Sequence, residues 1–200
     1  MFKKKVLIIS ALSLLLSSIT APFASANTYL YKFTTVQNNS TTFTYNVNGV
    51  SINSDKELTV NEQNSIYKLA AMGKYNSSSV IQPFGHIIGG SGEIAYGPKY
   101  ESYTNKTEKA IAELIAAWLV SKVPIKKLSG DKKFFAGYIL GKISGWVKSL
   151  FEPTYVGYWT TKAPDGYGLY HYYLTVVHYS DDTFTQPIDV QYGEVGVDTE

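Results

Sequence analysis

The stretch KKFFAGYILGKISGWVKSLF, residues Lys132–Phe151, is the most informative segment of this sequence. It predicts a helix that begins after Asp131 and ends before Pro153, because an aspartate favours a helix start and a proline favours its end. At 3.6 residues per turn, its large apolar side chains fall on one stripe. That stripe contains Phe135, Ile139, Ile143, Trp146 and Leu150. The opposite side of the helix carries Gly137, Gly141 and Gly145 together with lysines.

A second helix is predicted immediately before it, from Asn105 to Lys122, with Asn105 and Glu108 forming a capping box. The two helices would form a hairpin over residues 105–151. This segment holds nine lysines and three acidic residues, a net charge of +6, whereas residues 152–200 hold one lysine and eight acidic residues. A cationic amphipathic hairpin is typical either of core helices with lysines at the water boundary or of an element that lies on an anionic membrane.

The candidate residues for both roles lie in the second helix. The membrane-contact candidates are Phe135, Ile139, Ile143, Trp146, Leu150, Lys132, Lys133, Lys142 and Lys148. The helix-packing candidates are Gly137, Gly141 and Gly145, since small residues at four-residue spacing let another backbone approach closely. Because these glycines lie opposite the apolar stripe, they favour a smooth or adaptable surface over a simple membrane dimer.

Strand patterns flank the hairpin on both sides. Alternating β-branched and aromatic residues predict an N-terminal β-hairpin over 28–36 and 42–52. A short helix is predicted over 62–72, preceded by a capping box at Ser54–Glu57. A three-stranded meander is predicted over 154–162, 169–179 and 184–192, with a frayed tail after Gly193. We therefore expect an α+β fold with an antiparallel sheet, in which the central helical hairpin packs on one face.

The N-terminus predicts export. Lys3–Lys5, the apolar run Val6–Leu16 and Ala24-Ser25-Ala26 have the pattern of a secretory signal peptide cleaved near Ala26. Residues 27–200 would then form a single secreted domain. The chain has no cysteine, so disulfides, thiol catalysis and cysteine-based zinc sites are excluded. It also has no arginine, which disfavours nucleic-acid binding.

No sequence motif indicates catalysis or a cofactor. His171 and His178 are seven residues apart on one predicted strand, so they point to opposite faces and cannot share a metal ion. The chain lacks a G-x-S-x-G elbow and an H-E-x-x-H helix. We therefore predict a non-enzymatic protein with no metal and no cofactor. Tyr155 and Trp159 share one face of a predicted strand, where stacking aromatic rings are partner-binding candidates.

The signal sequence, the all-lysine basicity and the Lys/Gly hairpin at 105–151 resemble small secreted bacteriocin-like proteins of Gram-positive bacilli. The resemblance implies an antimicrobial, membrane-active protein whose partner is an anionic bacterial membrane or a cell-surface component. The alternative is an extracellular binding or inhibitor module that uses a Tyr/Trp-rich sheet surface. The two functions make opposite demands on the apolar stripe of the second helix. The binding or inhibitor module requires this stripe to be buried in the folded protein, whereas membrane activity requires it to be exposed.

Overall fold

The structure is a computed structural model that describes residues 32–37, 40–76, 93–123, 132–148, 152–164 and 167–199. The predicted signal peptide and Leu150 lie outside these ranges. Within them the chain forms seven strands and three helices. The strands are β1 (Lys32–Gln37), β2 (Ser40–Val47), β3 (Val50–Ser54), β4 (Glu93–Tyr103), β5 (Thr154–Pro164), β6 (Leu169–Tyr179) and β7 (Pro187–Thr199). The helices are α1 (Val60–Asn76), α2 (Glu108–Lys122) and α3 (Lys132–Ile143).

All seven strands belong to one sheet with the order β1-β2-β3-β7-β6-β5-β4. The predicted α+β class is confirmed, but the prediction of an antiparallel sheet is wrong, because β3 and β7 pair in parallel. A parallel pair needs a long crossover connection, and here the connection contains α1, β4, the helical hairpin, β5 and β6. The seam between β3 and β7 therefore joins the N-terminal strands to the C-terminal meander.

Helices cover both faces of this sheet. Alternate residues of β6 point to opposite sides, so Leu174 and Val176 share a core with α2 and α3, whereas Tyr173 and Val177 share a core with α1. The predicted helical hairpin does pack on one face. The other face is covered by α1, whose Ile66 and Ala70 are buried there.

Local signals explain the helix boundaries. α1 begins at a capping box formed by Thr59 and Glu62, in which the Glu62 carboxylate accepts the Thr59 backbone N–H at 2.7 Å. The capping box predicted at Ser54–Glu57 is therefore wrong. α2 is capped by Thr107, whose hydroxyl accepts the Ala110 N–H at 3.2 Å, and not by Asn105.

Two predicted boundaries near the hairpin and the tail are also corrected. α3 ends at Ile143 rather than at Phe151, because the chain turns there to bury Val147 and to place the Lys148 N–H on His178. The tail after Gly193 is not frayed. It continues β7 and pairs with β6, where Thr199 lies opposite Leu169.

Substitution of glycine by alanine should change stability in opposite directions at two kinds of position in this fold. A Cβ at Gly137 or Gly141 would meet no other atom within 4 Å, so alanine there should raise the free energy of unfolding by about 1 kcal/mol, the usual advantage of alanine inside a helix. A Cβ at Gly157 would lie 2.9 Å from the rings of Tyr100 and Tyr179, so Gly157→Ala should be destabilising. Urea denaturation of the three variants measures this. A loss of stability in Gly137→Ala and Gly141→Ala would contradict it.

Candidate functional site

The described part of the predicted apolar stripe of α3 lies in or against the protein core. Ile139 and Ile143 are 0 % exposed and pack with α2 and the sheet. Trp146, in the turn after α3, is half-buried against the same core. These three side chains therefore pack against the core in the folded protein. The side chains of Phe135, Lys132 and Lys133 fall outside the description, although all three residues belong to α3.

Both described lysines of the predicted membrane face form ion pairs. Lys142 Nζ lies 2.5 Å from Asp55 Oδ2 and also donates to the carbonyl oxygen of Glu194. Lys148 Nζ lies 3.0 Å from Asp189 Oδ1. These lysines fasten the end of the helical hairpin to the N-terminal strands and to β7.

The three candidate glycines of the hairpin stand on its open side. Gly137, Gly141 and Gly145 are exposed, and a Cβ at any of them would meet nothing within 4 Å. No helix or strand of the described residues packs on them. The predicted separation of glycines from the apolar stripe is confirmed, but the close packing of another backbone on them is not observed.

The predicted partner patch on β5 is mostly covered in the folded protein, since Trp159 is buried and Tyr155 is half-buried. Tyr155 and Trp159 do share a face of the strand, but that face lies under α1. Trp159 is 1 % exposed, and Tyr155 packs edge-on against Phe184 with ring centroids 5.9 Å apart. Trp159 is buried because α1 forms a second helical layer on this face, and strand alternation alone does not predict that layer.

A groove lies between the glycine side of α3 and the polar face of the N-terminal strands. It has a volume of about 840 Å³. One wall is the glycine face of α3 with the 53 % exposed Tyr138, and Trp146 lies at the end of that wall. Its lining residues are Thr42, Asn53, Ser54, Asp55, Gly137, Tyr138, Gly141, Lys142, Gly145, Trp146, Lys148, Gln191 and Tyr192. We call this space the α3 groove.

Several polar atoms of the α3 groove have hydrogen-bonding capacity left. Gln191 is only 7 % exposed and donates its Nε2 to Asp189 at 2.8 Å, and its Oε1 has no partner among the described residues. Asp55 uses Oδ2 for Lys142, which leaves its second oxygen without a partner within the described ranges. The indole N–H of Trp146 likewise has none there. These two acceptors and one donor belong to residues that line the groove, so they are candidates for hydrogen bonds to a ligand.

Asp189 is the electrostatic centre beside the groove. It accepts hydrogen bonds from Asn53 Nδ2 and Lys148 Nζ, both at 3.0 Å, and from Gln191. Burial raises the pKa of its carboxyl, but the interactions with His178, Gln191 and the Lys148 ammonium outweigh burial and hold the pKa below its usual value. The carboxylate is thus saturated with donors, as a structural anion is, and has little capacity to act as a base.

The two strand histidines lie on opposite faces, as predicted. His171 stacks on Tyr173 on the α1 side and approaches Glu194 with Nδ1 3.2 Å from the carboxylate. His178 is buried on the hairpin side, where its Nε2 accepts the Lys148 backbone N–H at 3.1 Å. His178 Nδ1 lies 3.6 Å from Asp189 Oδ2, longer than a direct hydrogen bond. Each histidine is therefore held by its own set of neighbours.

A second polar cluster, which the sequence did not reveal, joins β4 to β5. The Glu101 carboxylate accepts the hydroxyls of Tyr158, at 2.9 Å, and of Tyr103, and it pairs with Lys99 at 2.5 Å. Burial raises the pKa of Glu101, but these hydrogen bonds and the lysine charge bring it below its ordinary value. Since all four groups satisfy one another, the cluster fixes the edge strand rather than forming a site.

Two further features are absent from the described residues. No group of three or more His, Asp or Glu side chains in those ranges is arranged to hold a metal ion. None of the described helices is long and apolar enough to cross a membrane.

Comparison with known proteins gives no relative. The chain matches no protein-family model, no curated protein and no solved structure. The α3 groove, a large concave surface lined by described residues with unpaired polar groups, is therefore the basis for a functional assignment.

The Asp189 network should make stability depend on pH. Because the pKa of Asp189 is lower in the folded than in the unfolded chain, its stabilisation is present above roughly pH 4, the unfolded value, and is lost as the pH falls through the folded-state pKa. Asp189→Asn should lower the free energy of unfolding at pH 7 by about 2 kcal/mol, because Lys148 loses its partner. The difference from wild type should shrink at pH 3.

Urea denaturation at pH 7 and pH 3 measures this difference. Asp182→Asn is a matched control, since Asp182 is an exposed turn residue and its substitution should leave stability nearly unchanged. An equal loss for Asp189→Asn at both pH values would show that the carboxylate charge is not what stabilises the seam.

Proposed function

We propose that this protein is an exported, non-enzymatic binding module that takes its ligand in the α3 groove. The observation that carries the proposal is the groove itself, which combines a volume of about 840 Å³ with aromatic side chains and polar atoms that lack partners among the described residues. Ligand sites in proteins are typically concave and hold a few convergent polar groups. The lysine-rich, apolar N-terminus supports export.

The open glycine wall supports the same function. Glycine inside a helix is less favourable than alanine by about 1 kcal/mol, yet packing does not require glycine at Gly137 or Gly141. Side chains at these positions would project into the α3 groove. Large side chains there would narrow the groove, whereas glycine leaves it wide.

The titratable groups around the groove support binding rather than catalysis. Lys142 and Lys148 are each paired with a carboxylate, and the Asp189 carboxylate is saturated by donors. The Nε2 atom of His178 accepts a backbone N–H and so is not available to take a proton from a ligand. Such fixed pairs hold the shape of a site and leave a ligand chemically unchanged.

Filling the groove should abolish binding without unfolding the protein. We expect Gly141→Trp to weaken sedimentation with insoluble cell walls of Gram-positive bacilli at least about tenfold, because a Cβ at this position meets nothing within 4 Å and the tryptophan side chain would occupy the groove. Gly141→Ala should bind like wild type. Leu114→Trp adds the same ring to an exposed site on α2 and should also bind normally. Undiminished binding by Gly141→Trp would contradict the proposal.

The second candidate function is membrane activity of the bacteriocin type. It is favoured by the combination of a buried apolar face on α3, with Ile139 and Ile143, and an opposite face on which no described element packs. A hairpin held from one side can release its apolar face by swinging away from the sheet. The cationic segment 105–151 would then lie on an anionic membrane.

A tether across the α3 groove tests this opening. Lys142→Cys with Asp55→Cys introduces two thiols, the sole cysteines of the chain, at positions whose native side chains touch. A short bis-maleimide should close the hairpin onto the sheet. If the hairpin acts on membranes, the open double variant releases dye from anionic vesicles and the tethered form does not. Equal release by both forms, or release by neither, would contradict membrane action through this hairpin.

A further inference from the structure

We infer that the ligand of the α3 groove is a neutral, hydroxyl-rich glycan chain. This inference rests on the proposed binding function and deepens it by naming the chemical class of the ligand. Four properties of the groove carry it: its charges are internally paired, its free polar atoms match hydroxyl groups, aromatic rings line it, and its strands leave no edge for a peptide.

The charges of the groove cancel in pairs. Lys142 lies 2.5 Å from Asp55, and Lys148 lies 3.0 Å from Asp189. A phosphate-rich polymer would need these lysines, and a cationic peptide would need these carboxylates. Either ligand would have to break an ion pair that also fastens the hairpin, and it would leave the displaced partner without a counter-charge. A neutral ligand needs no such exchange.

The unpaired polar atoms suit hydroxyl groups. Gln191 Oε1 and the second oxygen of Asp55 are acceptors, whereas the indole N–H of Trp146 is a donor, and none of them has another partner among the described residues. A hydroxyl both donates and accepts, so one kind of ligand group satisfies all three. Gln191 is the most informative of them, because the residue is only 7 % exposed yet its amide oxygen is not fully buried, so a ligand or water in the groove can pair with it.

Aromatic rings supply the apolar contact that a sugar ring needs. Trp146 rests against β7, since a Cβ on Gly193 would lie 2.9 Å from its Cη2 atom. The ring is therefore held in place by the sheet. Tyr138 is 53 % exposed on the wall of the groove. Rigid aromatic faces beside hydrogen-bonding groups give an amphipathic ligand contact area at small entropic cost.

The floor of the groove disfavours an extended peptide. Peptides commonly add a strand to an exposed sheet edge, where backbone groups are unpaired. The strands below this groove, β2, β3 and β7, each have a neighbour on both sides. Their backbone groups are committed to the sheet, so recognition depends on side chains alone.

Calorimetric titration of the purified protein with neutral oligosaccharides tests this inference. The panel contains β-1,4-linked oligomers of N-acetylglucosamine, glucose, mannose and xylose. Matched charged probes are the deacetylated glucosamine oligomer, which is cationic, and inorganic polyphosphate. We expect at least one neutral oligomer to bind and both charged probes to bind at least about tenfold more weakly. Trp146→Ala should weaken that binding at least about tenfold, and Trp146→Phe should restore part of it.

The outcomes separate this inference from the proposed function. If the protein sediments with cell walls through the groove but no neutral oligomer binds at 1 mM (roughly the weak limit of specific binding) or competes, the ligand is not a neutral glycan and the binding function stands. If polyphosphate competes instead, the inference is overturned in favour of an anionic wall polymer. If neutral oligomers bind equally well to wild type and Gly141→Trp, they bind elsewhere and the inference also fails. Loss of wall sedimentation and of oligomer binding together in Gly141→Trp supports both.

Discussion

The Asp189 carboxylate holds together parts of the chain that are far apart in sequence. It lies on β7 at the parallel seam, opposite Ser51 of β3. Across that seam it accepts a hydrogen bond from Asn53, and above the sheet it pairs with Lys148 of the hairpin. A buried carboxylate is unfavourable unless donors surround it. The fold satisfies this requirement by bringing donors from three segments to Asp189. The α3 groove is formed where these segments meet.

Around Asp189, the net positive charge of residues 105–151 and the net negative charge of residues 152–200 offset each other only in part. The +6 hairpin does contact the acidic C-terminal half, through Lys148 and Asp189. A second ion pair of the hairpin joins Lys142 to Asp55, which follows β3. The hairpin thus lies across the seam, because Lys142 contacts both Asp55 and the carbonyl oxygen of Glu194 on β7. Charge balance within the groove is a product of tertiary structure, since it combines residues of all three parts of the chain.

Local sequence patterns predicted much of the secondary structure and little of the site. β6 has the predicted bounds, Leu169–Tyr179, because strong alternation and flanking turns define it without outside help. The stripe and the glycine face of α3 were predicted on opposite sides because helical geometry alone determines this. The prediction that Trp159 lies on the surface is wrong, because alternation tells which residues share a face but not whether a helix covers that face. The α3 groove could not be predicted, since Asp55 and Gln191 meet α3 through the parallel seam, and no local period encodes that pairing.

The position of β7 in the sheet has a consequence for the order of folding. β7 follows all the other strands along the chain, yet it lies between β3 and β6. A chain made from its N-terminus therefore produces the central strand last, and until then the strands before it remain two separate pieces with exposed edges. The contacts that close the sheet are long-range, which slows folding. A chain that stays open until its last strand is complete is also one that can be threaded through a narrow pore before it folds.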